Sequence, residues 1–179
     1  VTYCQSFIMA DNAQPLTQAF AHVRVGECDV AIPIGHVRQA LVRQNLTVLP
    51  RRSSGLLGLA VVDGATVPVV ALDRWLPIGA STDESQRRLL VLEQDGAVIG
   101  IQVDAVLGVR LVNIATIRRV HQVPVGNELF ESVVPETVHV PTLCILGVER
   151  LMQLSEVWCH DIGREPVRVT VSIAQAGAS

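Results

Sequence analysis

The chain has 179 residues, of which 49% are hydrophobic, 17% charged and only 3% aromatic, with a formal net charge of −3. That length fits one domain or two small joined subdomains, and the core must be aliphatic: Val, Leu, Ile and Ala. The negative balance argues against a dedicated nucleic-acid surface, and no window reaches the roughly 18 uninterrupted apolar residues of a membrane span.

All 14 basic residues are arginine, a compositional bias more than a functional sign. The N-terminus lacks the basic, apolar, small-residue order of a secretory signal. It also lacks an initiator Met, which reads as processing, a tag or excision from a longer chain. Four scattered cysteines with no C-x-x-C pair fit a reducing compartment better than a disulfide framework.

Residues 1–19 read as an N-terminal extension. Phe20–Val25 alternates, turns at Gly26-Glu27, and returns as Cys28–Ile34. Gly35–Arg43 places Val37, Ala40 and Leu41 at helical spacing and predicts a short amphipathic helix. Asn45–Ser54 is a polar loop. Then comes the most informative stretch, Gly55–Leu76: two apolar arms, Leu56–Val62 and Thr66–Leu72, joined at Asp63-Gly64, the pair that a tight primed turn requires. Both arms are apolar at nearly every position, so both faces are buried. Pro68 cannot donate to a ladder, which predicts an edge strand or a bulge there. Asp73–Leu76 reads as a short helical turn.

Pro77–Gln86 is a linker by composition and divides the chain into halves. Arg87–Leu92 and Ala97–Val103 form a second hairpin, around Gln94-Asp95-Gly96. Asp104–Asn113 continues extended, with Gly108 as a bulge or bend, and Ile114–Val120 is a further short element. His121–Glu136 reads as irregular, and Thr137–Leu146 as a strand interrupted by Pro141. Gly147–Leu154 is helical. The remaining 155–179 form a C-terminal extension with one possible strand, Val167–Ile173. Many short strands, two Asp-Gly hairpins and little helix make an all-β class with short helices, organised as two small barrels sharing a core.

Reactive groups do not assemble in the sequence. The five histidines show no metal-ligand spacing. Cys159-His160-Asp161 has the residue types of a hydrolytic site, but neighbours in a chain rarely point at one another. Asp104 could serve as a general base; capping a strand end is the simpler role. Cys28 and Cys144 read as small buried thiols in strands. No phosphate-binding or dinucleotide fingerprint occurs, so no cofactor and no metal is expected. What remains is a surface, with Val37, Leu41, Val106 and Leu107 as candidate contacts or, equally, as core. A small barrel for oligonucleotides would need stacking aromatics and a basic groove, which this composition lacks.

Five pieces in order resemble the CheW-like adaptor family of bacterial chemosensory signalling. They are F-A-H-V-R-V-G-x-x-x-x-A-I-P-I (Phe20–Ile34), the Val37 segment, G-L-x-x-x-x-G-x-x-V-P-V-V-x-L (Gly58–Leu72), L-L-V-L-E-x-x-G-x-x-I-G-I-x-V-D-x-V (Leu89–Val106) and C-I-L-x-V-E-R-L (Cys144–Leu151). The resemblance covers about 20–154. It implies two interleaved five-stranded SH3-like barrels, with the halves joined near 77–86, and a cytoplasmic, non-enzymatic role. It implies two partners, the tip of a methyl-accepting receptor and the regulatory domain of a CheA-type histidine kinase, without nucleic-acid binding or membrane insertion. The receptor tip would lie between the barrels, with Val37, Arg38, Gln39, Asp63 and Gly64 on one wall and Val106 and Leu107 on the other.

The chain departs from the family pattern at polar positions. The usual Asn-Leu-Arg-Gly turn is Val61-Val62-Asp63-Gly64, and acids usual elsewhere are replaced by Gln39, Ala71 and Gly147. With the apolar frame kept, this implies an altered partner set: a specialised adaptor for pilus motility or surface sensing, or a CheW-like domain cut from a larger signalling protein.

Overall fold

The computed structural model describes residues 16–42, 45–49, 55–72, 76, 87–120, 129–137 and 141–161, with backbone alone for Glu131 and for 156–161. Among these residues the strands are β1 (Thr17–Val25), β2 (Cys28–Pro33), β3 (Val37–Val42), β4 (Leu56–Val62), β5 (Ala65–Ala71), β6 (Arg88–Gln94), β7 (Ala97–Val103), β8 (Ala105–Asn113), β9 (Arg118–Arg119), β10 (Phe130–Val134) and β11 (Leu143–Leu146). One helix, α1 (Val148–Asp161), follows β11. The linker 77–86, the segment Asp73–Trp75 and the possible strand Val167–Ile173 lie outside the described residues.

Local chemistry explains the hairpins. Asp63 and Gly64 take φ of 51° and 78°, and Asp95 and Gly96 take 51° and 80°. Two successive left-handed residues are what a two-residue turn needs to match the strand twist, and Asp and Gly tolerate that region best. At Gly108, with φ of 129°, the β1–β8 register slips: His22 faces Gly108 but Val23 faces Val106. Leu107 is the extra residue, so the expected bulge is present.

Five expectations need correction. Val37–Val42 is a strand, not a helix, pairing antiparallel with β6. Its burial alternates, with Val37, Gln39 and Leu41 turned inwards. A nine-residue helix over Gly35–Arg43 is too short to offset its nucleation cost alone, whereas β6 supplies a full ladder partner for Val37–Val42. Pro68 lies on neither an edge nor a bulge. It pairs with Leu59 on β4, and pairing with β7 begins only at Val69, so no β7 acceptor needs the missing N–H. Phe130–Val134 is a strand inside the segment expected to be irregular; the neighbouring Pro and Gly residues mask its five-residue signal. The later strand starts only at Leu143, after Pro141, and α1 continues past Leu154.

The strands form a six-stranded sheet, β8-β1-β2-β11-β10-β9, and a five-stranded sheet, β3-β6-β7-β5-β4. Strands from before and after the 77–86 linker enter both sheets. Two parallel pairings stitch the halves together: β2 with β11 and β5 with β7. The outer strands of each sheet are drawn towards each other. A turn at Ile114–Thr116 leads directly from β8 to β9. After β3, Thr47 exchanges backbone hydrogen bonds of 2.8 and 3.0 Å with Leu59 on β4.

Each sheet therefore has two apolar faces. One side of the five-stranded sheet holds Ala60, Val62, Val67, Val69, Leu89, Val91 and Val98. One side of the six-stranded sheet holds Phe20, Ala31, Val112, Val134 and Leu143. Between the sheets lies the largest cluster, with Val23, Val30 and Ile32 from one sheet, Val70, Leu90 and Ile101 from the other, and Leu151 and Met152 from α1. Two small barrels thus share a third core, which is why so few residues of β5, β6 and β7 look polar in sequence.

Candidate partner-binding surface

The β3 wall is built by two turns. The 3-10 turn Ile34–His36 carries the chain from β2 in one sheet to β3 in the other. The Asp63-Gly64 turn rises beside it. Arg38 Nη2 lies 3.7 Å from Asp63 Oδ2 and its Nη1 3.5 Å from Glu93 Oε2. Gln39 Nε2 donates to Asp63 Oδ2 at 3.1 Å. Val37 is half-buried and packs on the shared core. Gly64 faces open space. Leu41 does not belong with them: it packs into the five-stranded sheet's own cluster.

Val106 and Leu107 lie on β8, at the outer end of the other sheet, 40% and 45% exposed. They are part of something larger that sequence reasoning missed. Val109 (64%), Leu111 (73%), Ile114 (39%), Leu16 (73%) and Ile34 (38%) are also exposed. Strand register puts them in order. Val109 pairs with Ala21 and Leu111 with Ala19 on β1; Phe20 pairs with Pro33, which leads into Ile34; and β1 packs against the Ile34–His36 turn. An apolar strip therefore runs from Leu111 across the small Ala19 to Ile34 and on to Val37. Exposed apolar residues gathered in this way are a common feature of protein-interaction surfaces. Leu111 and Val109 share the face of Ala21, which is turned to the shared core; at the end of the sheet they are left 73% and 64% exposed, with no opposing layer among the described residues.

Beside Val37, a cleft of about 360 Å³ is lined by Gly35, His36, Val37, Arg38, Glu93, Gln94 and Asp95. This end of the strip is acidic, with Asp63, Glu93 and Asp95 against Arg38. Past the other end, Arg118 and Arg119 are exposed, and Arg118 Nη1 donates to Ala115 O at 2.9 Å.

Other polar groups are structural. Asp104 Oδ2 accepts from Gly26 N at 2.6 Å, and Asp104 N donates to Arg24 O at 2.9 Å. The residue thus clamps the β1–β2 turn to the β7–β8 junction. Buried Asp29 accepts from Arg24 Nη2 at 3.0 Å. His22 Nε2 lies 3.1 Å from the same oxygen at an angle that makes no hydrogen bond. Cys28 and Cys144 are half-buried free thiols in β2 and β11. Burial first, and the Asp29 carboxylate among further causes, pushes both thiols up from their ordinary value.

Two small barrels around a common core carry an apolar strip that is exposed among the described residues, a surface of the kind proteins use to bind one another. The sequence model of the CheW-like domain family matches residues 19–156, and the chain belongs to that family. It is 34% identical over 109 residues to protein FrzA of Myxococcus xanthus, an alignment covering 61% of this chain and 68% of FrzA. Its fold is similar to the crystal structure of the scaffolding protein TtCheW from Thermoanaerobacter tengcongensis, with a TM-score of 0.65, 20% identity, and coverage of 73% of this chain and 89% of TtCheW. Among the described residues no helix is long and apolar enough to cross a membrane.

Proposed function

We propose that this protein is a non-enzymatic, cytoplasmic adaptor that couples the tip of a methyl-accepting receptor to the regulatory domain of a CheA-type histidine kinase. The observation that carries the reading is the strip from Val37 over Ile34 to Leu111, flanked by Arg38, Gln39, Asp63 and Gly64 at one end and by Val106 and Leu107 on β8. A helical hairpin laid along it would bury the exposed Val and Leu side chains as anchors, the usual logic of helix-in-groove recognition. The polar residues at its ends would then select among hairpins.

The partner set is a specialised one, such as pilus motility or surface sensing. What supports this is that Asp63 and Gln39 replace the charges usual in the family while the apolar frame is intact. The test is calorimetric titration of the protein with receptor-tip hairpins and with the kinase regulatory domain encoded in the same genome. Saturable binding to both, lost in Leu111→Asp and Val37→Asp, is the expected result. Absence of binding to every receptor tip and kinase domain of that genome overturns it.

A further inference from the structure

We infer that the strip is charge-polarised and selects a helix whose own charge is split end to end, cations at one end and carboxylates at the other. This rests on the reading that a helical partner lies along the strip. At the β3 end, Asp63, Glu93 and Asp95 gather around one cation among the described residues, Arg38, which is shared between Asp63 and Glu93. Asp95 is exposed and makes no ion pair with a described residue. Past Ile114 the sign reverses. Arg118 and Arg119 are exposed and form no ion pair with a described residue, and the bond from Arg118 to Ala115 O holds that guanidinium next to the strip.

Between the two ends, β1 and β8 (TQAFAHVRV and AVLGVRLVN) contain no carboxylate. Asp29 on β2 and Asp104 just before β8 are tied to Arg24 and to Gly26 N. The surface therefore goes from anionic through apolar to cationic. Rim charges of this kind add little to affinity, but they penalise the wrong orientation and the wrong partner. A uniformly acidic or uniformly basic helix would meet like charge at one end of the strip whichever way it lay.

The experiment uses three synthetic helical peptides with one common leucine ridge, titrated into the full chain by fluorescence anisotropy. One carries Lys in one terminal third and Glu in the other; the second carries Glu at both ends; the third carries Lys at both. The split peptide should bind about fivefold more tightly than either uniform one, with the advantage fading at high salt. The triple variant Asp63→Asn, Glu93→Gln, Asp95→Asn keeps residues that tolerate positive φ at both turns, and should shift preference to the all-Glu peptide. Arg118→Glu with Arg119→Glu should shift it to the all-Lys peptide. Equal binding of the three peptides, no binding of any, or a preference that neither variant moves would overturn the inference. The receptor titration separates the two readings: a protein that binds its receptor hairpin yet treats the peptides alike defeats only this inference. One that prefers the split peptide yet ignores every receptor and kinase domain defeats only the adaptor role.

Discussion

Gln39 donates to Asp63 across 3.1 Å, joining the first half of β3 to the tip of the β4–β5 hairpin. β3 and β4 are the outermost strands of their sheet, so the bond ties one edge of the sheet to the other. It also links two of the four positions at which the chain departs from the family pattern. Where the family resemblance places an acid and an arginine, this chain has an amide donating to an acid, and Arg38 supplies the counter-charge from the neighbouring position.

Asp63 is therefore the position where stability and partner choice separate. Asp63→Asn keeps an acceptor for Gln39 and tolerates positive φ, so it should change stability by less than about 0.5 kcal/mol. Asp63→Arg sets a cation against Arg38 and a long side chain at φ of 51°, and should cost about 1–2 kcal/mol in urea unfolding. The same arginine should strengthen binding to a conventional receptor or kinase domain. Unchanged affinity would remove Asp63 from the list of partner determinants.

Two glycines should respond to alanine for different reasons. A Cβ on Gly58 would stand 2.6 Å from the backbone oxygen of Thr47, which cannot swing aside, so Gly58→Ala should cost about 2–3 kcal/mol. It should also accelerate amide exchange at Thr47 and Leu59, whose mutual bonds close that side of the barrel. Gly64 has open space but φ of 78°, so Gly64→Ala should cost only about 1 kcal/mol and leave Thr47 exchange unchanged.

What could be read from the chain alone follows from how local each signal is. The Asp63-Gly64 and Asp95-Gly96 hairpins were legible because their cause is contained in two residues. The bulge at Gly108 was legible for the same reason. β3 was misread because Val37, Ala40 and Leu41 satisfy helical spacing as well as Val37, Gln39 and Leu41 satisfy a strand; the decision is made by β6, some fifty residues away. The position of β8 at the end of its sheet is likewise set by pairing with β1. Hence Val106 and Leu107 could be picked out as surface candidates, while Val109, Leu111 and Ile34, which complete the strip with them, could not.

Burial predicts opposite outcomes for two leucines. Leu151 of α1 is fully buried in the shared core, so Leu151→Ala should cost about 2–5 kcal/mol, read from the midpoint of chemical denaturation. Leu111 is 73% exposed, so Leu111→Asp should leave stability within about 0.5 kcal/mol while abolishing partner binding. A large loss of stability in the second variant would mean that the strip serves the fold instead of a partner.

The two thiols carry a pH prediction. Cys28 and Cys144 hold their protons to higher pH in the folded protein than in the unfolded chain, chiefly through burial. As pH climbs past the ordinary thiol range the unfolded chain loses these protons first, so their contribution to stability declines there and is flat below it. Alkylation by iodoacetamide near pH 8 should be slower at both sites than in a denatured control, since the thiolate is the reactive form. Equal rates at Cys28 and Cys144 in native and denatured protein would contradict this.

The parallel pairing of β2 with β11 brings Val30 beside Cys144. A ribosome must therefore deliver almost the whole domain before that ladder can close, and until then β2 has only β1 to pair with. Closing so long a loop is slow, and the waiting hairpin exposes Val23, Val30 and Ile32, the residues destined for the common core. Cutting the chain within 77–86 should accordingly give two fragments that are insoluble apart and recover a native spectrum only when refolded together.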